Sequence, residues 1–231
     1  LISVMGFGQL TGIKTVPGDY KDMALAIAAL NSEGVGAGGV IFDVAAGDTT
    51  SFGNLTDGLI TATGTATNPV TFRKSGTGAN PLITAAPGGT GNFDYIICLA
   101  GSDYMTFHGI DIADNPLNTT ATTRMEFGFA FFKASGTDGA QHNTLKNGTI
   151  SLLYNTNAYG ITLDNRLYSS PGVTGPDVTA LSGTNSWNDI QNMTLNNCYG
   201  GINLKGFAAA APFDFYDQDN TIGVNGVNTF S

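Results

Sequence analysis

Four side chains suited to acid–base chemistry fall within a short stretch of this sequence: His108, Asp111, Asp114 and Glu126. Asp111 and Asp114 close an apolar strand-like run, residues 107–112, and Glu126 opens the next one. Two carboxyl groups held about 5–9 Å apart are the apparatus of glycoside hydrolysis, one donating a proton and the other acting as base or nucleophile. The same residues also have a plainer reading. Asp114-Asn115-Pro116 is an ordinary turn sequence. His108 beside glycine, and His142 in a polar loop beside Gln141, fit hydrogen-bonded surface histidines.

A second group lies near the C-terminal end. In Asp214-Phe215-Tyr216-Asp217-Gln218-Asp219-Asn220, the carboxylates Asp214, Asp217 and Asp219 offer hard oxygens for a Ca²⁺ ion. The run lacks the glycine and terminal glutamate of an EF-hand, and a solvated acidic loop is the alternative. The neighbouring Phe213, Phe215 and Tyr216 are placed either to stack on sugar rings or to pack the loop. Calcium is the one cofactor these residues suggest, and none is required. No CxxC motif or Cys/His cluster points to zinc. Cys98 and Cys198 sit in strand-like settings and read as stacked free thiols acting as small hydrophobes, with a single disulfide as the alternative.

These side chains need a scaffold, and the sequence pattern describes one. Residues 19–30 hold helix formers with Met23, Ile27 and Leu30 on one face, Asp19 or Asp22 available as N-cap and Gly34 just beyond the end. The rest reads as short runs of Val, Ile, Phe and Thr broken by Gly, Asn, Asp and Pro. From residue 103 onward two local templates alternate. The first, alternating polar and apolar residues, begins at Asp103, Asn143, Asn188 and Asn220. The second, aromatic-Gly followed by apolar residues at alternate positions, begins at Phe127, Tyr159 and Tyr199. Such spacing is that of a repeat architecture with loops of unequal length on one face, the longest running from 166 to 186. Strands stacking about 4.8 Å apart bring apolar columns into one core and let corner asparagines bond along a ladder. The fold class expected is all-β, a right-handed parallel β-helix, with the helix capping its N-terminal edge. An antiparallel β-sandwich is the alternative.

Composition narrows the partners. The 231 residues carry 18 acidic and 9 basic side chains, a net charge of −9. That balance excludes a nucleic-acid binder, which needs clustered Lys and Arg, and disfavours an anionic membrane surface. No run is long and apolar enough for membrane insertion. Residues 1–9 (Leu1-Ile2-Ser3-Val4-Met5-Gly6-Phe7-Gly8-Gln9) read as the remnant of a signal peptide, with a short strand as the alternative. Residues 10–231 then form one β-helix domain, extracellular or at the cell surface. The strand-and-turn pattern at 225–231 suggests that the domain is truncated and continues into further domains of the same chain.

The stretches 60–72 (Ile60-Thr61-Ala62-Thr63-Gly64 through Asn68-Pro69-Val70-Thr71-Phe72), 74–84 and 101–112 resemble the opening region of large secreted surface proteins of Bacteroidota. That region is similar to the pectin-lyase-like right-handed β-helix superfamily, and Gly18-Asp19-Tyr20 with the helix after it resembles its start. The resemblance spans roughly residues 17–205. It implies a β-helix in an exported protein, often of the type IX secretion pathway. It also implies kinship with polysaccharide lyases and glycosidases. The Asp-Asp, Gly-His-Gly and Arg-x-Lys motifs of polygalacturonase-like members are absent, and His108-Gly109 lacks the preceding glycine. Basic residues for a lyase are few, and an acidic protein repels a polyuronate. The resulting expectation is a non-catalytic module for adhesion or for binding a polysaccharide or cell-surface glycan. A lyase or hydrolase using Asp111, Asp114, Glu126 and His108 is the alternative.

Overall fold

The computed structural model describes residues 8–91, 93–172, 175–223 and 228–230. Apart from Gly8 and Gln9, the expected signal-peptide remnant lies outside the described residues, as does most of 225–231. Three sheets carry the chain, and every pairing between their strands is parallel. The first sheet orders Leu10–Val16, Val35–Ala45, Val70–Ser75, Met105–His108, Thr144–Lys146, Asp189–Gln191 and Thr221–Ile222. The second orders Leu59–Ile60, Tyr95–Ala100, Phe127–Lys133, Tyr159–Leu167 and Gly200–Lys205. The third holds Thr49–Ser51, Leu82–Thr84, Asp111–Ala113, Thr149–Ser151, Thr194–Asn196 and Thr229–Phe230. From Val35 onward the chain visits first, third and second sheet in fixed rotation. Among the described residues antiparallel pairing is confined to two isolated bridges, Thr65–Asn68 and Ser135–Asp138, so the sandwich alternative fails.

The two sequence templates become two of the sheets. The polar–apolar copies pair residue for residue in the first sheet, Phe107 with Leu145 and Leu145 with Ile190. The aromatic-Gly copies pair in the second, Phe129 with Ile161 and Ile161 with Ile202. One continuous apolar core receives side chains from all three sheets and the helix. Within it the rings of Phe42, Phe72 and Phe107 stack with centroids 4.6 and 4.9 Å apart. Offset aromatic packing of this kind adds to the burial of the rings themselves.

The helix runs Met23–Glu33, starting later than its composition suggests. Asp19 is used by a turn instead: it accepts the Thr15 N–H at 2.7 Å, which leaves Asp22 as the N-cap, accepting from Leu25 at 3.0 Å. Met23, Ala26, Ile27 and Leu30 are its buried face. The helix lies against the sheet edges left open at the start of the rotation. Asn31 donates to the Leu59 carbonyl and accepts from the N–H groups of Thr61 and Ala62, while the Met23 N–H donates to Thr50 Oγ1 in the edge strand of the third sheet. Groups that would otherwise template a further strand are thereby satisfied.

Two corners set the repeat. Between first and third sheets the chain turns on one left-handed residue, Gly109, Asn147, Asn192 or Gly223. Ahead of the first sheet, Tyr104, His142, Trp187 and Asp219 are all left-handed, φ between 53° and 57°. Such residues cost about 1–2 kcal/mol each outside glycine, and the asparagines that follow His142, Trp187 and Asp219 offset the cost. Asn143 donates N–H and amide bonds to Asn188 Oδ1 at 3.0 and 3.1 Å, and Asn188 repeats both to Asn220. This is the asparagine ladder the repeat pattern predicts.

Candidate functional site: a groove over the second sheet

The two predicted chemical clusters come apart. His108 lies on the outward face of the first sheet, between Arg73 and Lys146 in register, with its Nε2 2.8 Å from Asn147 Nδ2. Burial and these basic neighbours hold its pKa below the usual histidine value. Asp111 sits around the corner, accepting from Asn80 Nδ2 and the Thr149 N–H at 2.8 Å each. Both side chains are spent on joining circuits. Asp114 is 3% exposed and accepts from the backbone of Asn115 and Met125, so it shapes the turn beneath Glu126. Glu126, by contrast, lines a cavity.

Glu126 is 4% exposed and accepts from the Asp94 N–H at 3.1 Å. Burial, with the charges of Asp94 and Asp114 adding to it, pushes its carboxyl up to about 7. Asp94 is itself raised by burial, and its Oδ2 is buried with no hydrogen-bond partner. Glu126 lines a recess of about 390 Å³ together with Tyr154 and Asn157. Asn157 is shared with a second hollow of about 330 Å³, where Phe93, Phe127, Tyr159, Arg166, Asn203 and Lys205 meet. Phe93, Asp164, Arg166 and Lys205 are shared in turn with a third of about 540 Å³, and Asp177 and Phe207 carry the run into a fourth that ends at Asp214 and Phe215. The hollows form one groove over the second sheet, with Glu126 near one end and Phe215 at the other.

The second sheet explains why the groove is there. Its central strands are buried on both faces: Ile97, Phe129 and Ile161 point into the main core, while Cys98, Ala100, Phe127, Ala130 and Phe132 form a separate apolar cluster outside it. Phe93, Tyr95, Tyr159 and Tyr168 pack against that outer cluster. Tyr168 packs against it from the long insertion, and Gly172, Gly175 and Asp177 line the groove beside it, so the groove has an apolar floor and a loop-built wall. Within the groove the Arg166 guanidinium lies 4.5 Å from the centroid of Phe93 and bonds Asp164 at 2.5 Å. Tyr154 and Tyr199 are exposed beside it, their rings 6.4 Å apart, and Tyr159 meets Tyr199 edge to face at 6.1 Å.

The remaining predicted residues divide. Asp214 and Phe215 line the groove's far end, whereas Phe213 and Tyr216 are exposed outside its lining. Asp217 accepts from the Asn185 N–H and pairs with Lys133; Asp219 accepts from Trp187 Nε1 at 3.2 Å. The three carboxylates thus serve three different tasks. Among the described residues no group of three or more His, Cys, Asp or Glu is arranged to hold a metal. Cys98 and Cys198 are free thiols but do not stack on one another: Cys98 joins the outer cluster, and Cys198 packs against the main core. Sequence reasoning passed over Tyr154, Tyr159, Phe93, Arg166, Asn203 and Lys205. The available signal was the aromatic head of the second template, since Tyr95, Phe127 and Tyr159 fall in one register column.

In comparisons with known proteins, the chain matches no family model, no curated protein and no solved structure.

Proposed function

We propose that this chain is a right-handed parallel β-helix module of an exported bacterial surface protein, and that its groove binds an extended polysaccharide without cleaving it. The observation that carries the reading is the groove's shape and lining. It is long, shallow and continuous, floored by Phe93, Phe127 and Tyr159, and edged by Asn157, Asn203, Arg166 and Lys205. Aromatic faces take the apolar faces of sugar rings, and amides and charged groups take the hydroxyls. Sequential circuits repeat such features along one axis, which suits a polymer better than a compact ligand. The resemblance to secreted β-helix surface proteins supports the same reading. So does the acidic balance, which leaves nucleic acid out.

A panel of soluble polysaccharides, read by binding and by release of reducing ends, tests this. The expected result is saturable binding without product, weakened at least tenfold in Tyr154→Ala. Absence of binding to every neutral and acidic polysaccharide in the panel overturns it.

One observation favours a hydrolytic second reading: Glu126, a carboxyl raised to about 7 beside Asp94, is the sort of group that donates a proton to a leaving oxygen. Under that reading product appears and is lost in Glu126→Gln.

A further inference from the structure

Lys133 ends a second-sheet strand with its side chain fully buried, 0% exposed. Its Nζ donates to the Gly183 carbonyl at 2.5 Å and stands 3.9 Å from Asp217 Oδ1. That same oxygen accepts the Asn185 N–H at 2.8 Å. Asp164, 2% exposed, is a second carboxylate whose charge acts on both Lys133 and Asp217. As an ion pair this arrangement is poor. A separation of 3.9 Å is beyond hydrogen-bond reach, and a buried pair without that bond does not recover the cost of removing two charges from water. Burial, with the partner's charge opposing it, pushes the Lys133 amine down toward its neutral form and the Asp217 carboxyl up toward its protonated form. An amine and a carboxyl side by side, the first fully buried and the second 12% exposed, each shifted by burial away from its charged form, are the reactant pair for amide condensation.

We propose that Lys133 and Asp217 are joined by an intramolecular isopeptide bond. The Nζ lone pair attacks Cγ of Asp217, and the Asn185 N–H stabilises the oxygen that takes up negative charge. The nitrogen's proton passes through the Asp164 carboxylate to the departing hydroxyl, which leaves as water. The Nζ–Cγ bond forms, a Cγ–O bond breaks, and no electrons are gained or lost, so no further reactant is needed. The product ties the strand Phe127–Lys133 to the loop that feeds Thr221–Ile222. It also restricts the unfolded chain across a long segment, as a disulfide would.

The intact mass of the purified, denatured chain reads the bond directly. The expected mass is one water below that of the sequence, with a proteolytic fragment in which the segments containing Lys133 and Asp217 remain joined. Asp217→Asn makes the same bond and falls one ammonia below its own sequence mass; Lys133→Met shows its full mass. Asp164→Ala accumulates the unlinked form. A folded wild-type chain at full mass, with the two segments separating on digestion, overturns the proposal whether or not the variants fold.

Discussion

On the outward face of the first sheet, one side chain per strand position is answered by the same position one circuit on: Thr71, Thr106 and Thr144 in one column, Arg73, His108 and Lys146 in the next. At its margin the rings of Tyr104, His142 and Trp187 stack at 4.6 and 5.0 Å, nearly parallel, and the asparagine ladder runs beneath. The outward face of the second sheet keeps one such column, Tyr95, Phe127 and Tyr159, but is covered differently. Its strands bury a private apolar cluster, long loops lean over it, and the aromatics that are not buried open into a groove. Two faces of the same circuits are thus specialised by what the corners do. Where the turn is a single left-handed residue, neighbouring side chains satisfy each other and little is left to bind anything else. Where the turn is a long insertion, a surface unlike its neighbours is created, and the aromatic and charged groups of the groove are found there.

The largest separation between the two faces is expected from the ladder. Asn188→Ala removes the acceptor of Asn143 and the donor to Ala140, stranding buried backbone and amide groups. A loss of about 2–4 kcal/mol in denaturant unfolding is expected, at roughly 1–3 kcal/mol per unsatisfied group, with groove affinity per folded molecule unchanged. Tyr154→Ala sharpens the contrast from the other side. Polysaccharide affinity falls about tenfold to a hundredfold, roughly 1.4–2.8 kcal/mol, while stability moves by less than about 0.5 kcal/mol because the ring is exposed. Calorimetric titration beside thermal melting separates the two effects.

Glu126 and the two histidines titrate in opposite senses. Glu126 holds its proton in the folded chain up to about 7, whereas the unfolded chain releases it near roughly 4.3. The folded state therefore binds the extra proton between those values, and stability falls as pH rises through that window, by on the order of 2 kcal/mol. His108 and His142, both lowered by burial, resist protonation in the folded chain and contribute stability that is lost as pH falls. Melting temperatures across pH 5–8, with Glu126→Gln beside the wild type, should show the wild-type decline toward pH 8 and a shallower one in the variant, where Asp103, also raised to about 7 by burial, still contributes. The smallest effect is expected at Arg73→Ala. Its 2.6 Å bond to Asp43 is partly exposed, so the change in stability stays below about 1 kcal/mol.

Much of this was legible in the residues. The alternation of two templates gave the first and second sheets, because each strand there carries at least one apolar position flanked by a turn residue. The third sheet was harder to see. Strands such as Thr149–Ser151 and Thr194–Asn196 present one inward side chain each, Ile150 and Leu195, too few to show a period. Helix bounds slipped because Asp19 and Asp22 are equal as cap candidates until Thr15 claims the first. The site was least legible. His108, Asp111, Asp114 and Glu126 are neighbours in sequence, yet each circuit distributes its residues over three faces, and of the four it is Glu126 that lines the groove. Residues far apart in sequence, Phe93, Tyr159 and Lys205, converge there only through stacking.

The most direct measurement of the central claim is binding of a length series of oligosaccharides, from the best polysaccharide in the panel, to the wild type and Tyr159→Ala. The account predicts affinity that rises with chain length until the groove is filled, and a shorter, weaker plateau in the variant. Affinity that is independent of length, or identical in the two proteins, would contradict a polymer lying along the second sheet.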